Sequence, residues 1–210
     1  MKIRLGLISW ATGALMLVAV SACGNNEADS APPPGETSSS SSLTTSTPTT
    51  SASPTSSSDA AATQASSVLH QYFAMLDRVR QDPSVRLSDL ARVATSTQLN
   101  SEKLLVSAER SRRLHQTGVT SIRKLTVQSV NLDNSAPAAG RVPTVTIDVC
   151  WDVSHADLVD KNGKSAVKPT RADRGWTRYT VANYHWNANP SGGWRIASSQ
   201  DLKQTPCAAS

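Results

Sequence analysis

Apolar residues along this chain follow two spacings, a helical one before Gly118 and an alternating one after it. From Asp59 to Gln81 they recur every three or four positions, which predicts an amphipathic helix with Asp59 as its N-cap. Asp82-Pro83 ends it, because the residue before a proline disfavours helical geometry. A short second helix follows. The apolar positions are Ala62, Ala65, Leu69, Tyr72, Phe73, Leu76 and Val79 in the first helix and Leu87, Leu90 and Val93 in the second.

A third helix is predicted from Thr95 and Gln98, whose spacing is that of a capping box. We expect this helix to continue to about His115. Gly118 is expected to close it, because glycine readily adopts the left-handed conformation found after helix ends.

The alternating half of the chain predicts an antiparallel sheet. Asn162-Gly163 is a strong signal for a two-residue hairpin turn. A change of phase near Gln128 predicts a β-bulge. In the strand at 143–160, the apolar face includes Val145, Ile147 and Val149. The pattern places the strands at 121–133, 143–160, 165–168, 176–186 and 194–202.

The N-terminal segment has the pattern of a cleaved export signal. Lys2 and Arg4 precede a 16-residue apolar run, shorter than the roughly 20 residues that a membrane span requires. Val20-Ser21-Ala22-Cys23 resembles the lipobox of bacterial lipoproteins. The resemblance implies cleavage after residue 22 and a diacylglyceryl anchor on Cys23, with fatty acids such as palmitate. We therefore expect the protein on the outer face of the cell membrane; a retained, uncleaved anchor is the alternative.

Residues 23–58 are predicted to be a disordered tether. Of the 22 residues from 37 to 58, 18 are Ser or Thr, and between residues 24 and 58 Leu43 is the one large aliphatic residue. Such a segment buries too little apolar area to offset about 1 to 2 kcal/mol of backbone entropy per ordered residue. Ser/Thr tracts with proline are also typical of O-glycosylated stalks.

Residues 59–210 are long enough for one domain with a single core. They carry 19 Lys and Arg against 13 Asp and Glu. This modest positive charge is typical of a solvated surface, and contact with anionic lipid is the alternative. Basic runs interleaved with aromatic residues are absent from the sequence, so we do not expect nucleic acid as a partner.

Two cysteines remain once Cys23 carries lipid. Cys150 and Cys207 form an even pair in an exported, oxidising setting, which predicts a disulfide bond between them. A reactive thiol or a metal pair is the less favoured alternative, since neither cysteine has a second cysteine or a histidine at ligand spacing.

The order of helices and strands resembles nuclear transport factor 2-like cones, in which a curved sheet wraps a long helix. Several segments further resemble a group of actinobacterial secreted lipoproteins with that fold. The resemblance covers roughly residues 60 to 207 and implies an α+β class, with N-terminal helices packed on a curved antiparallel (cystatin-like) sheet. It implies no particular activity. The matching segments are 149–154, 159–164, 178–181 and 193–196, together with the late Cys207.

Six polar or aromatic residues are candidates for the lining of such a cone: Tyr72, Asp148, Asp152, Tyr179, Tyr184 and His185. An isomerase or dehydratase would need a carboxylate base in an apolar cavity with a hydroxyl donor nearby. Each candidate, with Asp77, also has a structural interpretation, as a core residue or as part of a solvated strand face. The tryptophans Trp151, Trp176, Trp186 and Trp194 are predicted to pack in the core or on the sheet; a stacking platform for sugars is the alternative.

No metal or cofactor is expected. The four histidines, His70, His115, His155 and His185, are scattered and lack metal-site spacing. A calcium loop around Gly163 fails because Leu158 and Pro169 would occupy ligand positions.

The sequence therefore predicts a tethered, non-enzymatic binding or assembly module. The expected partner is an envelope protein or a small apolar ligand in the cone mouth, with the Asn162-Gly163 hairpin among the candidate contacts. Two alternatives remain: an isomerase or dehydratase, and an accessory part of an export or conjugation machine.

Overall fold

The computed structural model of the protein describes residues 56–208. The predicted leader at 1–22, the lipidation residue Cys23 and all but the last three residues of the predicted tether lie outside the described residues. Among the residues described, no helix combines the length and apolarity needed to cross a membrane.

Three helical segments precede an antiparallel sheet, so the domain belongs to the α+β class. The helices are α1 (Ser57–Gln81), a 3₁₀ helix at Leu87–Arg92, α2 (Ser96–Ser111) and a 3₁₀ turn at Pro137–Ala139. The strands are β1 (His115–Thr117), β2 (Ser121–Asn131), β3 (Thr144–Asp152), β4 (Asp157–Val159), β5 (Arg174–Asn183) and β6 (Trp194–Leu202).

A four-stranded sheet in the order β2-β3-β5-β6 forms one layer, and β1 pairs with β4 in a separate two-stranded sheet. Helix α1 packs against β2, β3 and β6, and α2 packs against β6. The core lies between the helices and the four-stranded sheet, because the apolar stripe of α1 meets the apolar face of the strands. Its fully buried side chains include Leu69, Tyr72, Ile147, Val149, Val181, Trp194 and Ile196.

The N-cap of helix α1 lies three residues earlier than predicted. Ser56, and not Asp59, is the N-cap; its hydroxyl accepts a hydrogen bond from the backbone N–H of Asp59 at 3.1 Å and donates to the Asp59 carboxylate at 2.7 Å. Asp59 thus lies in the first turn, where the helix dipole favours negative charge. The predicted end at Gln81 is confirmed.

The prediction that the third helix reaches His115 was wrong. Helix α2 ends at Ser111, and His115–Thr117 pair with Asp157–Val159 as β1 and β4. Gly118 closes no helix. It has φ of 68°, and a Cβ at this position would collide with the carbonyl oxygen of His155, so the backbone segments approach closely.

The predicted strand at 143–160 is interrupted. The backbone N–H of Ala156 donates to the carbonyl of Val153 at 2.9 Å, and this turn redirects the chain into β4. The following turn is also not of the two-residue type. Gly163 alone is left-handed, with φ of 78°, and its N–H donates to the carbonyl of Asp160 at 3.0 Å. The predicted return strand is reduced to one bridge, between Val159 and Ser165.

Strand β5 ends at Asn183, three residues before the predicted end. The fully buried Asn183 amide donates to the carbonyls of Asn189 and Pro190 at 2.9 and 3.2 Å and thereby forms a tight loop. The predicted bulge is confirmed by the register shift between Val127 and Ser129. The last strand has its predicted bounds.

Cys150 and Cys207 form a disulfide bond, with 6.2 Å between their Cα atoms. Cys150 alternates with the core residue Val149 and therefore lies on the sheet face opposite α1. The bond fastens the C-terminal segment to that face, where Arg174 also donates to the carbonyl of Cys207 at 3.5 Å.

Candidate functional site

A cavity of about 320 Å³ lies between α1, α2, the inner sheet face and the segment before β5. Apolar side chains form most of its wall, and charged side chains interrupt that wall. It is lined by Tyr72, Phe73, Leu76, Arg80, Glu102, Thr120, Trp151, Val153, Arg171, Ala172 and Tyr179. This size and mixture are typical of sites for small organic ligands.

Three aromatic rings pack edge to face beside this cavity. The Tyr72 ring lies 5.6 Å from Phe73 and 5.9 Å from Tyr179, and Phe73 and Tyr179 are 5.9 Å apart. This geometry suits the charge distribution of aromatic rings. The Trp151 indole N–H donates to the hydroxyl of Thr177 at 3.0 Å, which fixes a fourth ring in the cavity wall.

The tyrosine hydroxyl connects the aromatic wall to helix α2. Tyr72 donates to Oε1 of Glu102 at 2.8 Å, and the amide of Gln98 donates to the same hydroxyl at 2.6 Å and to Glu102 at 3.0 Å. Burial, and then the Glu102 charge, raises the pKa of the Tyr72 hydroxyl far above its usual value. Tyr72 is therefore a hydrogen-bond donor throughout the physiological pH range.

Arg80 lies between two carboxylates of α2. Its Nη2 is 3.6 Å from Oε2 of Glu102, beyond hydrogen-bond distance, and its Nε is 3.3 Å from Oε2 of Glu109. The contact with Glu109 is within hydrogen-bond distance, but its angle is unfavourable. Arg80 Nε and the Oε2 atoms of Glu102 and Glu109 are therefore buried without a hydrogen-bond partner among residues 56–208. Burial raises the pKa of Glu109, against the attraction of Arg80.

A second cavity of about 200 Å³ shares four lining residues with the first: Arg80, Thr120, Val153 and Arg171. It also includes Glu109, so charged groups lie where the two cavities meet. Arg171 donates to the carbonyls of Val153 and Ala156 at 3.0 and 2.9 Å. These bonds hold the segment before β5 against the turn that follows β3.

Asp77 positions the Thr120 side of the site. Its buried carboxylate accepts hydrogen bonds from the Gln116 amide at 2.7 Å, the Thr120 backbone N–H at 3.0 Å and the Thr120 hydroxyl at 3.1 Å. Both oxygens of Asp77 therefore accept hydrogen bonds that hold the fold together, and the carboxylate is not free to act as a base.

Of the six residues predicted to line the cone, the structure places two, Tyr72 and Tyr179, in the cavity wall. Asp148 and Asp152 lie on the opposite sheet face, because they alternate with the core residues of β3. Asp148 there accepts two hydrogen bonds from Arg178, at 2.6 and 2.8 Å.

The other two candidates follow the end of β5 and are exposed. Tyr184 is 45% exposed, and its hydroxyl lies 3.5 Å from that of Ser96. His185 lies in the loop shaped by Asn183, to which its backbone N–H donates. Strand β5 was predicted to extend through both residues, and its earlier end removes them from the sheet.

The tryptophans divide between the core and both sheet faces. Trp194 is fully buried and packs edge to face with Trp186 at 5.9 Å. Trp151 lines the cavity, whereas Trp176 is the register partner of Cys150 on the opposite face. No single tryptophan platform is formed by the described part of the chain.

The charged residues of the site were missing from the sequence prediction. A signal for them existed: Arg80 follows Leu76 by four positions on the apolar stripe of α1. Glu102 and Glu109 flank the buried Val106 at helical spacing. When helical periodicity assigns a charged side chain to the buried face of a helix, that side chain is a candidate for an ion pair or a functional group.

Within residues 56–208, no group of three His, Cys, Asp or Glu side chains is arranged to hold a metal ion. No protein-family model and no curated protein matches this chain. Among solved structures, the domain is similar to the intermembrane space region of the chloroplast protein ARC6. That similarity has 20% sequence identity, covers 67% of this chain and 95% of the other, and has a TM-score of 0.46.

Proposed function

We propose that this protein is a lipid-anchored, extracytoplasmic binding module whose cavity takes a small ligand with an apolar body. The observation that carries the proposal is the cavity of about 320 Å³ bounded by Tyr72, Phe73, Trp151 and Tyr179. Four aromatic rings offer a large apolar contact area to a compact molecule. Attachment through Cys23 at the outer face of the cell membrane belongs to the same proposal and is supported by the sequence alone.

The finer fold assignment is also part of the proposal. A nuclear transport factor 2-like cone is supported by the position of three helices before a four-stranded antiparallel sheet, and by α1 packed on one face of that sheet. In such an arrangement, the space between the long helix and the sheet is the natural place for a ligand cavity.

The experiment is calorimetric titration of the full-length protein in nanodiscs of zwitterionic lipid, with empty nanodiscs as the blank. The probe is naphthalenemethanol, a compact aromatic alcohol. Ala172→Trp narrows the cavity at an exposed position of its rim. Ala138→Trp adds the same indole at an exposed position outside the cavity and is the matched control.

The proposal predicts saturable binding of the probe. Ala172→Trp should weaken this binding by at least about tenfold, and Ala138→Trp should leave it unchanged. Binding no stronger than to empty nanodiscs, or equally affected by both variants, would reject it and favour an envelope protein as the partner.

A specific observation favours an enzyme as the second candidate. Glu102 is a carboxylate in the wall of an apolar cavity and accepts a hydrogen bond from Tyr72. An acid or base in an isomerase or dehydratase requires such a group. Binding that persists in Glu102→Gln while turnover of a substrate is lost would favour the enzyme. The third candidate function, an accessory part of an export or conjugation machine, is not supported by the cavity, because an assembly module does not need one.

A further inference from the structure

We propose that the outward face of helix α2 rests on the surface of a bilayer that contains anionic lipid. This inference rests on the proposed attachment of the chain to a membrane and is independent of the ligand in the cavity. The outward face consists of five exposed residues of the helix and its C-cap: Ser101, Leu104, Leu105, Ala108 and Arg112.

The first step concerns apolar side chains that the fold leaves uncovered. Leu104 is 74% exposed and Leu105 is 46% exposed, whereas the next residue, Val106, is fully buried. The exposed ring of Tyr184 lies against Ser96, the first residue of α2. Three of the five large apolar side chains that are exposed among the described residues therefore lie in or beside one helix. Such a concentration is typical of a surface that meets another molecule or a membrane.

The second step concerns the spacing of these residues. Residues three or four positions apart lie on the same side of a helix. Ser101 therefore lies beside Leu104 and Leu105, and Ala108 and Arg112 continue that side toward the end of the helix. The outward face thus combines an apolar centre with a cation at its C-terminal end, which is the composition of helices that lie at membrane surfaces.

The third step concerns charge. Arg112 and Arg113 are exposed where α2 ends. The two carboxylates of the helix are largely removed from solvent, because Glu102 and Glu109 are each 13% exposed and both lie near Arg80 of α1. The solvent-facing charge of α2 is therefore positive and complementary to an anionic surface.

The fourth step concerns the choice of a membrane as the occupant of this face. The 32 residues at 24–55 separate the proposed anchor at Cys23 from Ser56, the N-cap of α1. A flexible segment of this length spans about 30 Å. It would hold the domain near the bilayer at a local concentration on the order of millimolar. A contact too weak to retain a free protein would then be populated.

The test measures where the outward face lies when the full-length protein is held in nanodiscs. A nitrobenzoxadiazole label, whose emission moves to shorter wavelength in apolar surroundings, is attached to Ser101→Cys. Discs of phosphatidylcholine are compared with discs in which part of this lipid is replaced by phosphatidylglycerol. We expect a blue shift in the phosphatidylglycerol discs alone. High salt should abolish it, because salt screens exposed charges.

The control carries the same label on Gln128→Cys. Gln128 is exposed in strand β2, at the sheet edge opposite β6, against which α2 packs. Cys150 and Cys207 are joined in a disulfide and do not take the label. Any label on Cys23 would affect both variants equally, so the difference between them reports the outward face.

Two further variants test the two parts of the contact. Arg112→Gln combined with Arg113→Gln should lower the ratio of docked to free domain by about tenfold, because each cation near an anionic surface contributes several-fold. Lys161→Gln combined with Lys164→Gln removes the same charge from exposed positions in a turn and is the matched control. Leu104→Gln should reduce the blue shift without lowering thermal stability, since this side chain is exposed.

The inference is overturned if Ser101→Cys emits alike in both kinds of disc, or if Gln128→Cys shifts as much. It is also overturned if the shift occurs without discs, which would indicate a second copy of the chain on this face. Docking that survives the double arginine substitution would rule out an anionic surface as the partner.

The fate of this inference is separate from that of the cavity. Leu104→Gln should leave binding of naphthalenemethanol unchanged, because Leu104 does not line the cavity. If the full-length protein is not retained in either kind of disc, the proposed membrane attachment fails and this inference fails with it.

Discussion

The hydroxyl of Tyr72 donates to the carboxylate of Glu102 across 2.8 Å and so joins helix α1 to helix α2. The two residues are 30 positions apart in the chain. Their contact places a carboxylate beside an aromatic cavity.

Tyr72→Phe should lower the free energy of unfolding by about 1 to 3 kcal/mol, because Glu102 and Gln98 would lose a buried hydrogen-bond partner. Urea denaturation measures the change. Tyr184→Phe is the control, since this hydroxyl is exposed and should matter by less than about 0.5 kcal/mol. Equal effects of the two variants would contradict the assignment.

Asp77→Ala should destabilise the domain by about 2 to 3 kcal/mol, because Gln116 and the backbone of Thr120 would lose their acceptor. Asp77→Asn retains one acceptor oxygen and should cost less. Thermal unfolding followed by circular dichroism compares the two. A ranking in which Asp77→Asn is the more harmful would contradict the assignment of Asp77 as a hydrogen-bond acceptor.

The stability of the domain should depend on the protonation of Glu109. Burial raises the pKa of this carboxyl, so the folded protein holds the proton more tightly than the unfolded chain. Protonation therefore stabilises the fold as the pH falls through the raised pKa, and this contribution is lost as the pH rises through it.

Glu109→Gln removes the titration while keeping the size of the side chain. The free energy of unfolding of the native protein, relative to this variant, should increase as the pH falls from neutral to about 4.5, near the usual pKa of glutamate. Urea denaturation at several pH values measures the difference, in which titrating groups distant from Glu109 cancel. A difference that shrinks on acidification would refute the raised pKa.

Cys207→Ala should lower the free energy of unfolding by about 2 to 5 kcal/mol, because the disulfide closes a long loop of the unfolded chain. Reduction of the native protein should produce a similar loss. Mass spectrometry of the purified native protein should find Cys150 and Cys207 oxidised, and free thiols at both positions would contradict the bond.

Cys23→Ala should abolish incorporation of labelled palmitate, because the proposed thioether forms on this cysteine. Cys207→Ala should retain the label and is the matched control. The lipid anchor would be ruled out if the native and Cys23→Ala proteins attached equally to the cell envelope and both kept an intact leader.

The spacing of apolar residues was enough to predict the helix ending at Gln81, the bulge at Gln128 and the last strand. Each of these depends on near neighbours in the chain, and local periodicity records them directly. The disulfide between Cys150 and Cys207 could be predicted for another reason: the chain has three cysteines, and the expectation that Cys23 carries lipid left these two as a pair.

Contacts between distant segments were decided by tertiary structure alone. His115 was predicted to end a helix, yet it begins strand β1, because β4 lies beside it and pairs with it. Arg80 and Glu102 likewise form one site only because α1 and α2 pack together. A local pattern specifies which face of an element is apolar, whereas the partner of that face, and the cavity left between them, depend on the packing of the whole domain.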